Sequence, residues 1–179
     1  MVVRRPQAAK ARWQRESLLE RSAQQQPFVV PPGAGERTWS LNALTTLKAS
    51  AGETSGALGV LEVLVDKNGE PPPHVHHGED ESFYVLEGHV TMYVGDQVLD
   101  APTGSFVFAP RDVPHRFTVD SGEAKLLVVI TPGGFEGFFS EVGEAATTST
   151  IPTPAPPDIA RIVQAAAARD CEILPPPTG

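Results

Sequence analysis

Three of the chain's five histidines crowd into Pro73-His74-Val75-His76-His77, and a carboxylate run, Glu79-Asp80-Glu81, follows at once. A fourth, His115, closes a second turn-rich segment, Ala109-Pro110-Arg111-Asp112-Val113-Pro114-His115. Neutral imidazoles with a carboxylate suit divalent ions of the Mn, Fe, Co, Ni, Cu and Zn group. In an extended segment the two-residue period puts His74 and His76 on one face and His77 on the other. Period alone therefore separates a candidate ligand pair from a bystander.

Such side chains need a frame, and the rest of the chain reads as one. The 179 residues include 18 prolines and 16 glycines, which implies many turns. Strands are expected near 38–49, 57–66, 74–77, 81–86, 90–94, 97–100, 105–109, 115–119 and 124–131. Asp66-Lys67-Asn68-Gly69, Glu87-Gly88, Gly95-Asp96 and Asp120-Ser121-Gly122-Glu123 supply the reversals. Val90, Met92 and Val94 alternate with Thr91 and Tyr93, so one face of that strand is buried. No helical period interrupts residues 38–131, which excludes a βαβ arrangement there and leaves a sandwich or barrel.

Shorter elements flank this barrel. Residues 10–23 are expected to form a poorly amphipathic helix, ended by Gln24-Gln25-Gln26-Pro27. Gly134-Phe135-Glu136-Gly137-Phe138-Phe139 reads as a short helical or turn segment with three aromatics that look exposed. Residues 146–157, rich in threonine and proline, are a linker without regular structure. Asp158 should cap a helix from Ile159 to Arg169, and Pro175-Pro176-Pro177 should be a mobile tail. The expected division is an arm over 1–37, a barrel over 38–131 and a C-terminal segment over 132–179.

Composition narrows the function classes. With 40% apolar and 20% charged residues the chain is ordinary for a globular protein. Its net charge of −8 is uneven: residues 1–25 carry six Lys/Arg against Glu16 and Glu20, so +4, leaving −12 elsewhere. An acidic body argues against nucleic acid as a partner. The basic start lacks the apolar core and cleavage site of a signal peptide, and no apolar run suits a membrane span. With the single Cys171 excluding an internal disulfide, a cytoplasmic location is expected.

Written as spacings, the two segments are Gly69-(x4)-His74-x-His76-(x4)-Glu81-(x6)-Gly88 and Gly104-(x5)-Pro110-x-Asp112-(x2)-His115, with fifteen residues between Gly88 and Gly104. Together they closely resemble the two motifs of the cupin superfamily, over roughly residues 55–131. Departures fall at the first glycine, one residue nearer the histidine than usual, and at Asp112 and Val119, where the family carries glycine and asparagine. The resemblance implies an all-β double-stranded β-helix, a jelly-roll barrel with short N- and C-terminal helices. It further implies that His74, His76, Glu81 and His115 converge inside it on one divalent transition metal. Among the carboxylates, the gap to Gly88 and the strand Ser82–Leu86 favour Glu81 over Asp80 and Glu79. His77 is then a surface residue or an outer partner of the ligands, and His89 a solvated one. Phe83, Phe106, Phe108 and Phe117 are assigned to the core, with one or two facing a pocket.

Within the superfamily, the runs Pro71 to Gly88 and Thr131 to Phe139 are similar to bacterial single-domain quercetin 2,3-dioxygenases. That similarity implies an enzyme that opens a flavonol's oxygen heterocycle with O2, with Glu81 as ligand and general base and with Phe135–Phe139 either closing the barrel mouth or packing outside it. A metal-dependent isomerase, cyclase or lyase and a non-catalytic ligand-binding barrel are the alternatives. Single-barrel cupins commonly dimerise, so a homodimer is expected, with the strands near 38–49 as interface.

Overall fold

The computed structural model describes residues 26–175, so the helix expected over 10–23 and the tail beyond Pro175 lie outside the described residues. The chain opens with strands β1 (Glu36–Ser40), β2 (Ala43–Ala49) and β3 (Gly59–Asp66), then a 3-10 turn over Lys67–Gly69. There follow β4 (His74–His76), β5 (Asp80–Glu87), β6 (His89–Val94), β7 (Gln97–Pro102), β8 (Phe106–Ala109), β9 (His115–Val119) and β10 (Glu123–Thr131). Helix α1 (Gly137–Val142), β11 (Glu144–Ala145), helix α2 (Ile159–Ala167) and β12 (Cys171–Ile173) complete it. Among the described residues no helix is long and apolar enough to cross a membrane.

Two antiparallel sheets result, one ordered β11-β1-β2-β3-β10-β5-β8 and the other β12-β4-β9-β6-β7. The alternation that forms each strand also builds the core. On β10, Ala124, Leu126, Val128 and Ile130 face inward; on β6, Val90, Met92 and Val94 do. Leu61, Val63 and Val65 of β3 join them in a single cluster shared by both sheets. Each fully buried aliphatic side chain there contributes about 1.5–3 kcal/mol relative to exposure. The strand pattern predicts an all-β sandwich or barrel, and the fold is the jelly-roll barrel that the resemblance implies.

Three local expectations are corrected. The single strand over 38–49 is a hairpin, because Leu41 and Asn42 both take positive φ, 52° and 60°, and reverse the chain in two residues. Both central residues of such a turn must be left-handed, which Asn tolerates and Leu does not advertise. Phe106 and Phe108 are not core: Val107 and Ala109 face inward, leaving the two phenylalanines 64% and 51% exposed. The aromatics of 135–139, in contrast, are not exposed, since Phe135 and Phe138 are buried in the main core and Phe139 packs against it.

Turn chemistry follows the motifs closely. Gly88, at φ +87°, sits where a Cβ would come within 2.5 Å of the Glu123 carbonyl oxygen, so only glycine fits between β5 and β6. Asp112 takes φ +62°, the left-handed conformation a glycine would adopt there. The two short strands β11 and β12, absent from the sequence reading, pair with β1 and β4 and draw the C-terminal segment onto both sheets.

Candidate metal centre

The site is assembled from the ends of three strands. β4 presents His74 and His76, β5 presents Glu81 one residue after its start, and β9 begins with His115, which is in register with His74. Glu81 itself is held between Ile130 of β10 and Ala109 of β8. One ligand atom from each of His74, His76, Glu81 and His115 lies within 4.8 Å of all the others. His115 Nε2 is 3.0 Å from Glu81 Oε2, His76 Nε2 3.6 Å and His74 Nε2 4.0 Å.

Outer contacts set which nitrogens face inward. The Nδ1–H of His74 donates to the Pro72 carbonyl at 2.9 Å, and that of His115 to the Val113 carbonyl at 3.1 Å. A carbonyl only accepts, so Nδ1 carries a proton, and Nε2 is the nitrogen turned toward Glu81: it donates to that carboxylate when protonated and offers a lone pair to a cation when not. His76 has no such partner. Both of its ring nitrogens are buried without a hydrogen bond, as is Glu79 Oε2, 3.7 Å from its Nδ1. Leaving a buried polar group unmade costs about 1–3 kcal/mol. A cation among the inward nitrogens would satisfy Nε2, and Glu79 stands where it would orient the ring from behind. The four residues could hold one metal ion, and the nitrogen-rich donor set with a single carboxylate suits the Mn-to-Zn series.

The electrostatics agree. Burial depresses the His76 imidazole to about 4, which keeps it neutral and its lone pair free. Burial pushes the Glu81 carboxyl up, but hydrogen bonds to His115 and His74 outweigh it and hold Glu81 well below the carboxylate range. Burial pulls His115 down, and its hydrogen bond to Glu81 overcomes that and raises it. The centre thus holds one fixed anion among its imidazoles.

The neighbouring candidates are engaged elsewhere. Asp80 accepts from the Arg111 backbone N–H at 2.9 Å and pairs with its guanidinium through Oδ1 at 3.0 Å and Oδ2 at 2.8 Å. That clamp ties the start of β5 to the loop leading into His115. His77 is exposed, 2.7 Å from Asp112 Oδ1, which raises its pKa. His89 is exposed beside Asp100 at 2.6 Å.

Two neighbours of the centre were not placed against it by the sequence: Phe135, expected at the barrel mouth or packed outside, and Cys171, not connected with the site. The Phe135 ring stands edge-on to His76 with centroids 4.2 Å apart, carried there by Glu136, whose carboxylate accepts from the Ala51 and Gly134 N–H groups at 2.6 Å each. A Cβ on Gly59 would collide with that carboxylate, so the bare backbone at 59 is the only local signal of the docking. Cys171 pairs in register with His76, and burial pushes its thiol up to about 12, making it an inert wall residue. A cavity of about 200 Å³ opens onto His74, Glu81 and His115 between Phe83, Phe117 and Phe135.

Residues 61–130 match the family described as Cupin domain. Quercetin 2,3-dioxygenase of Bacillus subtilis (strain 168) is 30% identical over 151 residues, 84% of this chain and 45% of that protein. Quercetin 2,3-dioxygenase of Aspergillus japonicus is 31% identical over 110 residues, 59% of this chain and 28% of that protein. The chain therefore spans less than half the length of either relative. Among solved structures, an RmlC-like cupin from Shewanella frigidimarina shares the fold with a TM-score of 0.55 at 18% identity, covering 64% of this chain and 98% of that one.

Proposed function

We propose that this chain, which belongs to the cupin superfamily, is a metal-dependent dioxygenase acting on a flavonol-like aromatic compound. The observation that carries the reading is His76, buried without a hydrogen bond, beside an ionised Glu81 that lines an aromatic-walled cavity. His74, His76, Glu81 and His115 would hold one divalent transition ion, supplying Lewis acidity toward an ionised substrate oxygen and open positions for chemistry with O2.

The chain's own residues account for the rest. Glu81 is the ionised carboxylate that lines the cavity beside His74 and His115, and it is the group assigned to take the proton of a substrate hydroxyl. Phe83, Phe117 and Phe135 offer faces and edges to an aromatic ring and exclude water around it. Phe135 and Phe138, stacked at 5.0 Å, make this wall part of the core rather than a loose cover. The similarity to relatives named quercetin 2,3-dioxygenase supports a flavonol whose oxygen heterocycle is opened by one O2 with release of carbon monoxide.

Assembly belongs to the same reading. Phe106 and Phe108 are exposed on the edge strand β8, and Tyr84 is exposed beside Phe106 on the adjoining β5. Such a patch supports a homodimer formed at β8 over one at the hairpin of β1 and β2, where β11 already pairs with Thr38 and Trp39. Light scattering of the wild type and of Phe106→Ser checks it; a wild-type monomer removes the idea.

Metal-loaded protein in air should bleach the near-ultraviolet band of flavonols, consume O2 and release carbon monoxide. Protein that leaves a panel of flavonols untouched in air overturns the dioxygenase reading and leaves oxygen-independent isomerase or lyase chemistry as the successor.

A further inference from the structure

The cavity has a second polar end. Ser40 of β1 and Thr45 of β2 both line it, and their hydroxyl oxygens are 3.2 Å apart. Both residues are almost completely buried, at 3% and 2% exposure. Register fixes where they stand. Thr45 pairs with Val63, Val63 pairs with Leu126, and Leu126 is four residues along β10 from Ile130, the partner of Glu81. At about 3.3 Å per residue that is roughly 13 Å along the strand direction. The hydroxyls and the His/Glu group therefore occupy opposite ends of one cavity, with Phe83, Phe117, Leu126 and Val128 between them.

Two hydroxyls facing an apolar interior call for an explanation, because alanine and valine would fill those positions without desolvating an O–H. Their mutual bond uses one hydrogen and one lone pair. Each hydroxyl carries one hydrogen and two lone pairs, so the pair retains one donor and three acceptor sites for a guest. Asn42, at the rim between them, is already engaged: its amide donates to the Asn68 carbonyl and accepts from the Ala155 N–H. It ties two rim segments together; Asn68 and Glu70, which also line the cavity, are engaged in turn, Asn68 donating to Asp66 at 3.1 Å and Glu70 accepting from the Val119 N–H at 2.8 Å.

We propose that Ser40 and Thr45 recognise a hydroxyl or similar hydrogen-bonding group on the end of the substrate remote from His74, His76, Glu81 and His115. The favoured substrate is then an elongated aromatic molecule with an apolar middle and an oxygen function at each end. The proposal rests on the preceding reading in one respect, that a flavonol-like oxygen occupies the His/Glu end.

Calorimetric titration of metal-loaded protein under nitrogen reads binding without turnover. The probes are 3-hydroxyflavone and its 3,4′- and 3,7-dihydroxy analogues. The wild type should bind at least one dihydroxy compound about five- to tenfold more tightly than 3-hydroxyflavone, the worth of one net hydrogen bond. Ser40→Ala/Thr45→Val should bind all three alike, at the affinity of 3-hydroxyflavone, while Thr45→Ser should keep the preference. Wild-type protein that binds all three equally overturns the proposal without any variant. Equal weakening toward all three in the double variant also overturns it, since that reports cavity shape and not hydrogen bonding. If no flavonol binds the wild type, the flavonol reading itself fails and takes this inference with it, an outcome distinct from equal binding.

Discussion

Phe135 and His76 lie 59 residues apart in sequence, yet their rings meet edge to face with centroids 4.2 Å apart. The contact couples the segment after the barrel to the most deeply buried imidazole of the centre. Phe135→Ala should cost about 3–5 kcal/mol, the usual cost of emptying a buried aromatic site. Urea unfolding measures it, and a loss below 1 kcal/mol would mean that Phe135 is not packed as described. Phe135→Leu should recover more than half of the stability.

Metal content tests the centre residue by residue. Alanine at His76 or His115 should strip most of the bound metal, measured by elemental analysis after dialysis. Alanine at His77 or His89, whose partners are Asp112 and Asp100 at the surface, should leave it in place. Equal loss from His77→Ala would sink the assignment of His74, His76, Glu81 and His115 as ligands.

Glu81→Gln separates coordination from proton transfer. The amide keeps an oxygen that can approach the same ion but is a poor base, so turnover should fall by about 10²–10⁴-fold while part of the metal remains. Turnover within threefold of wild type would remove Glu81 from proton transfer.

The Asp80–Arg111 clamp has a pH signature with a definite sign. Hydrogen bonds from Arg111 lower the Asp80 carboxyl from its ordinary 3.8 to about 2. A lowered folded-state value means that the stabilisation is fully present above the unfolded value and is lost as pH falls from about 4 through about 2. Melting curves of wild type and Asp80→Asn should differ by a constant amount above pH 5, draw together between about pH 4 and 2, and converge below about pH 2. A gap that persists below about pH 2 would assign the clamp's effect to something other than charge.

The barrel and its C-terminal segment should differ in protease sensitivity. Residues 146–157 have no helix or strand and are largely exposed, tethered to the barrel at Thr150 by Trp39 and at Ala155 by Asn42. We expect the first cut of limited proteolysis within them, mapped by mass spectrometry. Early cuts between residues 81 and 119 would contradict the division into a barrel and a C-terminal segment.

Local periods and turn chemistry could be read without a structure because each is a property of a few adjacent residues. The pair His74 and His76 against His77, the reversal at Gly88 and the cap at Asp158 all depend on near neighbours, and each is found where the sequence puts it. The spacing of the two segments, through the family resemblance it carries, singled out the four residues that the fold brings together. Where both faces of a strand are apolar, the same logic fails. Phe106-Val107-Phe108-Ala109 alternates larger and smaller apolar groups, so its period does not say which set is buried.

Only the closing of the two sheets decided that. Val107 and Ala109 lie on the face turned toward the shared core, which leaves Phe106 and Phe108 outside. The same closure brought Phe135 onto His76, Cys171 beside it, and the hydroxyls of Ser40 and Thr45 to the far end of the cavity. These are pairings between residues far apart in the chain, and no local preference encodes them. The sequence by itself determined which side chains could form the centre and how each strand turns. The tertiary structure decided what walls the centre, because a wall is set by which distant strands become neighbours.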